Sequence, residues 1–146
     1  RLVHSHTAIS HPTNKNDLIN NINDWLSKTL TEKETYNDPL KYWDVSQIND
    51  LSGLFQNKSF TGTGNDDISN WDVSQSTNIK SMFEGCIEFN GNISNWKPSD
   101  TALNNNSRML HGCIAFNKNL NNTNWDNLTK ANNEEMFRGT INYTFD

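Results

Sequence analysis

A chain of 146 residues is long enough for one domain with a core, and its net charge of −5 with a pI near 5.3 excludes a phosphate backbone as the main ligand. Hydrophobic content of 33% and a mean hydropathy of −0.83 are low, yet Trp 5, Phe 7 and Tyr 3 supply bulky anchors that exclude disorder throughout. The polarity comes from asparagine, which fills 26 positions and favours turns and hydrogen-bonded ladders over helices.

Residues 1–12 read as an extended, polar lead-in. His4, His6 and His11 sit there, but a metal site needs three or four ligands on rigid elements, so a solvated segment is the preferred reading. Arg1 in place of Met suggests a fragment or a processed product. No signal peptide, lipidation motif or apolar run of about 18 residues is legible, so membrane insertion is not expected.

Residues 13–42 are expected to form a helical N-terminal cap. Leu18, Ile19, Ile22, Trp25, Leu26 and Leu30 recur at spacings of three and four, one apolar stripe along a helix over 13–30. Pro12 precedes it, and Thr13 or Asn14 can cap it. Thr31 and Glu34 offer a capping box for a second short turn, which Pro39 ends.

Residues 43–146 are a repeat array with units starting at 43, 71, 96 and 125. The tryptophans Trp43, Trp71, Trp96 and Trp125 are spaced by 28, 25 and 29 residues. An aromatic follows twelve residues later at Phe55, Phe83 and Phe137, and two extra residues move Leu110 into that place in the third unit. Met82, Met109 and Met136 precede it, and a second phenylalanine follows at Phe60, Phe89 and Phe116. A period of 25 to 29 with recurrent apolar positions marks units too small to bury their own apolar residues, which stack to make a shared core. Alternation over 68–71 and 93–96 predicts short parallel strands, and the spacing of Ile79, Met82 and Phe83 predicts a short helix ended by Gly85. The expected fold class is therefore an α/β repeat solenoid, leucine-rich-repeat-like: a capping helix, then about four coils of short parallel strand plus short helix. Tryptophan is expected to stack on tryptophan, and phenylalanine on phenylalanine.

The pattern of Phe89, Asn90, Asn92, Ile93, Ser94, Asn95 and Trp96, with Trp71-Asp72-Val73-Ser74 and Met82-Phe83-Glu84-Gly85-Cys86, resembles the BspA-like leucine-rich repeat family. More closely it is similar to the mycoplasma-type surface-protein repeat, a domain of unknown function found also in protists, algae and large DNA viruses. The helix bearing Trp25, then Tyr36 and Trp43-Asp44-Val45-Ser46, looks like the entry segment of such arrays. The resemblance spans roughly residues 13 to 140. It implies a non-enzymatic solenoid that binds other macromolecules, often at a cell or virion surface, and it carries over no catalytic residue. Trp96-Lys97-Pro98-Ser99 and the insertion at 104–106 depart from the pattern.

The structural repeat core is assigned to Trp43, Phe55, Trp71, Met82, Phe83, Phe89, Trp96, Met109, Leu110, Phe116, Trp125, Met136 and Phe137. Asp44, Ser46, Asp72, Ser74 and Asp126 are assigned to tying the turn after each tryptophan, in preference to a calcium ladder, which Lys97 interrupts. Cys86 and Cys113 share a repeat position; two free buried thiols are preferred over a bridge or a nucleophile. The pairs Asp66/Asp67 and Glu134/Glu135 read as solvated. Sequons at Asn57, Asn92, Asn105, Asn121, Asn127 and Asn142 follow from asparagine abundance. No cofactor, metal, catalytic group or nucleic acid is expected. The expected function is protein–protein interaction or structural assembly, through a long polar face or the C-terminal coil. The alternative is carbohydrate binding or adhesion, which needs a row of exposed aromatics.

Overall fold

The computed structural model describes residues 11–120, 123–125 and 135–140. The first helix, α1 (Lys15–Leu26), starts where Asn14 accepts the Asp17 N–H on its side-chain oxygen. It buries Leu18, Ile22 and Trp25. It stops four residues short of the predicted end, where Lys28 N–H tightens onto the Trp25 carbonyl and Thr29 turns extended to cap the next helix. Leu30 leaves the stripe and opens α2 (Leu30–Thr35), where it is 66% exposed. The capping box lies two residues earlier than expected: Thr29 and Glu32 exchange the reciprocal bonds. Both Thr29 and Thr31 fit the motif, and the one at the extended junction with α1 takes it.

The expected strands are absent. Among the described residues the only β pairing is an isolated parallel bridge between Asp50 and Asn78. The stretches 68–71 and 93–96 are turns, with Trp71 N–H on the Ile68 carbonyl and Trp96 N–H on the Ile93 carbonyl. This overturns the α/β, leucine-rich-repeat-like solenoid of parallel strands. The physical reason is local. Asp67 and Asn92 take the N–H groups of Ser69 and Ser94 on their side-chain oxygens, which closes tight turns where a strand would need those N–H groups for a ladder. The predicted helix over 79–84 is also a run of turns.

The turns are joined from unit to unit by a backbone ladder that runs mostly from each unit to the next, with Thr77, Asn90 and Ala115 N–H groups returning to Asn49, Thr61 and Ile87. The N–H groups of Leu51, Gly53, Phe55 and Asn57 donate to the carbonyls of Asn78, Lys80, Met82 and Glu84 at 2.8–2.9 Å. The intervening N–H groups of Leu54, Gln56 and Lys58 close local turns three residues back. The second unit repeats this, with Ile79, Ser81, Phe83 and Gly85 donating to Asn105, Ser107, Met109 and His111. In the third unit, Leu110 and Gly112 reach Met136 and Arg138. A left-handed residue every four positions interrupts the helical sense: Gly53 and Asn57, Ser81 and Gly85, Arg108 and Gly112. Gly85 is therefore a left-handed position within the turn run, where a Cβ would lie 2.1 Å from Asn57 Oδ1 of the preceding unit.

Phenylalanines fill the centre in two interleaved columns. Phe55 stacks on Phe60 and Phe83 on Phe89, both at 4.0 Å between ring centroids, and Phe89 stacks on Phe116 at 5.9 Å. Trp71 packs on Phe55 and Trp96 on Phe83, so these indoles meet the phenylalanine of the preceding unit in place of the expected tryptophan pairing. The third unit absorbs its extra residues in α3 (Asp100–Leu103), capped by Ser99, with Pro98 buried beside it.

Candidate functional site

Every repeat-core residue named from the sequence is buried, with Trp43, Trp71, Trp96 and Trp125 at 5%, 3%, 2% and 2% exposure. Their indole N–H groups are also spent. Trp71 donates to the Leu40 carbonyl, Trp96 to Ile68 and Trp125 to Ile93, each three residues before the previous unit's tryptophan. Trp43 donates to the Asp38 carbonyl. No indole face remains for a ligand.

Asp44 Oδ1 accepts from both Ser46 N–H and Ser46 Oγ–H, and Asp72 Oδ1 does the same with Ser74. The Ser46 bond holds the Asp44 carboxyl below its ordinary value. Asp126 lies outside the described residues, as do His4 and His6, whereas His11 sits 3.4 Å from Asp44. Among the described residues no three His, Cys, Asp or Glu side chains converge as a metal site.

Cys86 and Cys113 are free and buried. Each thiol donates back one unit, Cys86 to the Phe55 carbonyl at 2.8 Å and Cys113 to the Phe83 carbonyl at 3.0 Å. Burial pushes them up to about 11 and about 12, so neither is a nucleophile at neutral pH.

Three arrangements escaped the sequence reading. Asp66 is buried, not solvated: its Oδ1 accepts the Trp25 indole N–H at 3.0 Å and pairs with Lys33 Nζ at 2.8 Å. That latch ties α1 and α2 to the short 3-10 turn Gly64–Asp66. Lys15 adds bonds to Asp50 and Ser52, and Lys58 reaches Asn23, so α1 lies along the first unit. Arg108 forks onto Glu84 through two bonds and approaches Glu135, linking three successive units; it holds the Glu84 carboxyl low. Only the shared repeat position of Ser81 and Arg108 hinted at this.

The third arrangement is on the surface. Ile87 and Ile114 occupy one repeat position, 60% and 47% exposed. They are adjacent across units, since Ala115 N–H bonds the Ile87 carbonyl. A few residues further along each unit, an open groove of about 270 Å³ runs past Gly62, Asp67, Ser69, Asn90, Asn92 and Lys118. Its floor is tight: Gly62 and Gly91 press on the Phe89 ring, and a Cβ on Gly62 would lie 2.4 Å from it.

No helix among the described residues is long and apolar enough to cross a membrane. No curated protein and no solved structure matches the chain. A family model described as Mycoplasma protein of unknown function, DUF285, matches residues 14–146.

Proposed function

The chain belongs to the DUF285 family, and we propose that it is a non-catalytic repeat module for protein–protein interaction or structural assembly at a cell or virion surface. Its finer kinship, on this reading, is with BspA-like surface repeat proteins. The observation that carries the proposal is the division of labour between recurring and varying positions. The recurring residues are consumed by the framework: tryptophans by indole bonds to carbonyls just ahead of the previous unit, aspartates by their own turns, thiols by neighbouring carbonyls. What faces solvent is a polar surface with an adjacent aliphatic pair, Ile87 and Ile114. Small exposed aliphatic patches rimmed by polar groups suit a protein partner.

Carbohydrate adhesion is the weaker reading, because the exposed large hydrophobics among the described residues are Leu30, Ile87 and Ile114, with no aromatic among them. The test is chemical cross-linking of the chain in extract of its native source, followed by mass spectrometry. A defined partner cross-linked near Ile87 or Ile114, and lost in an Ile87→Glu/Ile114→Glu variant, is expected. Background recovery alone, with clear binding on a glycan array, would overturn the proposal in favour of adhesion.

A further inference from the structure

We propose that Asn92 is an N-glycan acceptor, which takes an oligosaccharide from a lipid-linked diphosphate donor. This rests on the surface reading above, because export to a surface takes a chain past that donor. Asparagine abundance explains why six sequons occur; the fold separates the three whose asparagines it describes, at Asn57, Asn92 and Asn105.

Asn105 is already engaged. Its side-chain NH2 donates to the Thr77 carbonyl at 3.1 Å, one unit back, and the middle residue of its sequon, Asn106, is buried. A sugar on that nitrogen would have to enter a junction between units. Asn57 is left-handed at φ 57°, and its side-chain oxygen lies over Gly85, where a Cβ would come within 2.1 Å of it. No bond joins its side chain to Ser59, the hydroxyl residue of its sequon.

Asn92 differs on each count. It is exposed, on the rim of the open groove of about 270 Å³ that passes Gly62 and Gly64. Its Oδ1 accepts both the N–H and the Oγ–H of Ser94, at 3.2 and 2.6 Å, so the amide and the hydroxyl of the sequon are held together. With the oxygen committed, the NH2 turns away from those bonds, and among the described residues Nδ2 has no partner. There is room on the groove side, since a Cβ on Gly64 would meet nothing within 4 Å. The turn uses only the oxygen of Asn92, so a sugar on its nitrogen leaves the turn closed.

The transfer balances without a redox partner. Asn92 Nδ2 forms a bond to C1 of the first sugar, and the C1–O bond to the diphosphate breaks. The diphosphate leaves on its lipid with the electron pair, and one NH2 proton passes to a base of the transferring enzyme.

The experiment takes the full chain from its native source and treats it with peptide N-glycosidase in heavy-oxygen water, which turns each glycosylated asparagine into a labelled aspartate. Mass spectrometry with fragment-ion localisation reads the label. A sample without the enzyme subtracts spontaneous deamidation at Asn90-Gly91. The label should fall on Asn92, with occupancy at least tenfold above Asn57 and Asn105. Secretion from insect cells should give the same order. There, Asn92→Asp keeps the oxygen that closes the Ser94 turn and removes the nitrogen, so the glycan mass should vanish while secretion and circular dichroism hold. Ser94→Thr should keep the glycan. An unlabelled Asn92 in the native chain, or equal occupancy at Asn57 or Asn105, would overturn the inference. A bare Asn92 in a chain that still cross-links its partner near Ile87 or Ile114 leaves the interaction reading standing without the glycan. A labelled Asn92 in a chain that captures no partner supports the glycan site and overturns the interaction reading alone.

Discussion

The indole of Trp96 donates a hydrogen bond to the carbonyl of Ile68 at 3.0 Å, from the start of one unit to just ahead of the unit before it. Both groups are buried, so the bond is needed to satisfy the carbonyl as well as the indole. Trp96→Phe keeps most of the ring and removes the donor, leaving the carbonyl unmatched; the expected loss is about 1–3 kcal/mol. Trp96→Ala opens a cavity in addition and should cost about 3–5 kcal/mol. Urea unfolding followed by circular dichroism measures both. A Trp96→Phe variant within about 0.5 kcal/mol of the parent would show the bond to be incidental.

The latch of Lys33, Asp66 and Trp25 should govern how firmly α1 and α2 hold the first unit. Asp66→Ala leaves a largely buried ammonium without its partner, at a cost of about 3 kcal/mol. Adding Lys33→Met removes that orphan charge and covers the Trp25 ring, so the double variant should be more stable than Asp66→Ala alone. Urea midpoints give the order, and amide hydrogen exchange across α1 shows whether the cap loosens first. A double variant less stable than the single one would contradict the latch.

Cys86 and Cys113 should react with Ellman's reagent only after unfolding, since both are buried and already donate to carbonyls. Their raised values also make stability depend on pH. The ordinary thiol value is 9.0, and the folded values lie at about 11 and about 12. Above 9 the unfolded chain releases protons that the folded chain retains, so the contribution is complete below 9 and declines as pH climbs through the folded values. Urea midpoints between pH 8 and pH 11 should fall more steeply for the parent than for a Cys86→Ala/Cys113→Ala variant. Parallel profiles would remove the thiols from the alkaline response.

Gly62 and Gly64 offer a contrast in which conformation and space are separated. Both are left-handed, at φ 68° and 59°. A Cβ on Gly62 would strike the Phe89 ring and the Gly91 Cα, whereas nothing lies within 4 Å of one on Gly64. Gly64→Ala should therefore cost only the backbone penalty, about 1–2 kcal/mol, and Gly62→Ala clearly more. Thermal unfolding of the two variants provides the comparison, and equal losses would mean that the ring yields.

Much of the core was legible before any coordinates, because a buried side chain must recur wherever the unit recurs. Trp71, Phe83, Met109 and Phe116 all declare themselves by spacing. The secondary structure was misread for an equally physical reason. Ile68 and Trp71 are three apart, a spacing that a tight turn brings to one side and a strand would put on opposite faces, and Asp67 and Asn92 close the turns by taking serine N–H groups. Asp66 gave no warning, since a carboxylate is expected in water unless a cation and a donor from distant segments meet it.

The sequence by itself determined the period, the apolar residues of the repeat core and the net negative charge, because burial of apolar groups and charge follow from residue type and spacing. Only the tertiary structure decided how the units are joined. The choice between a strand ladder and alternating turns depends on where each N–H finds its acceptor, and in the stretches 51–58 and 79–86 every second N–H finds it about one repeat away. The same holds for the surface. Ile87 beside Ile114, and Asp67, Asn90, Asn92 and Lys118 along one groove, become neighbours only when the units stack in register.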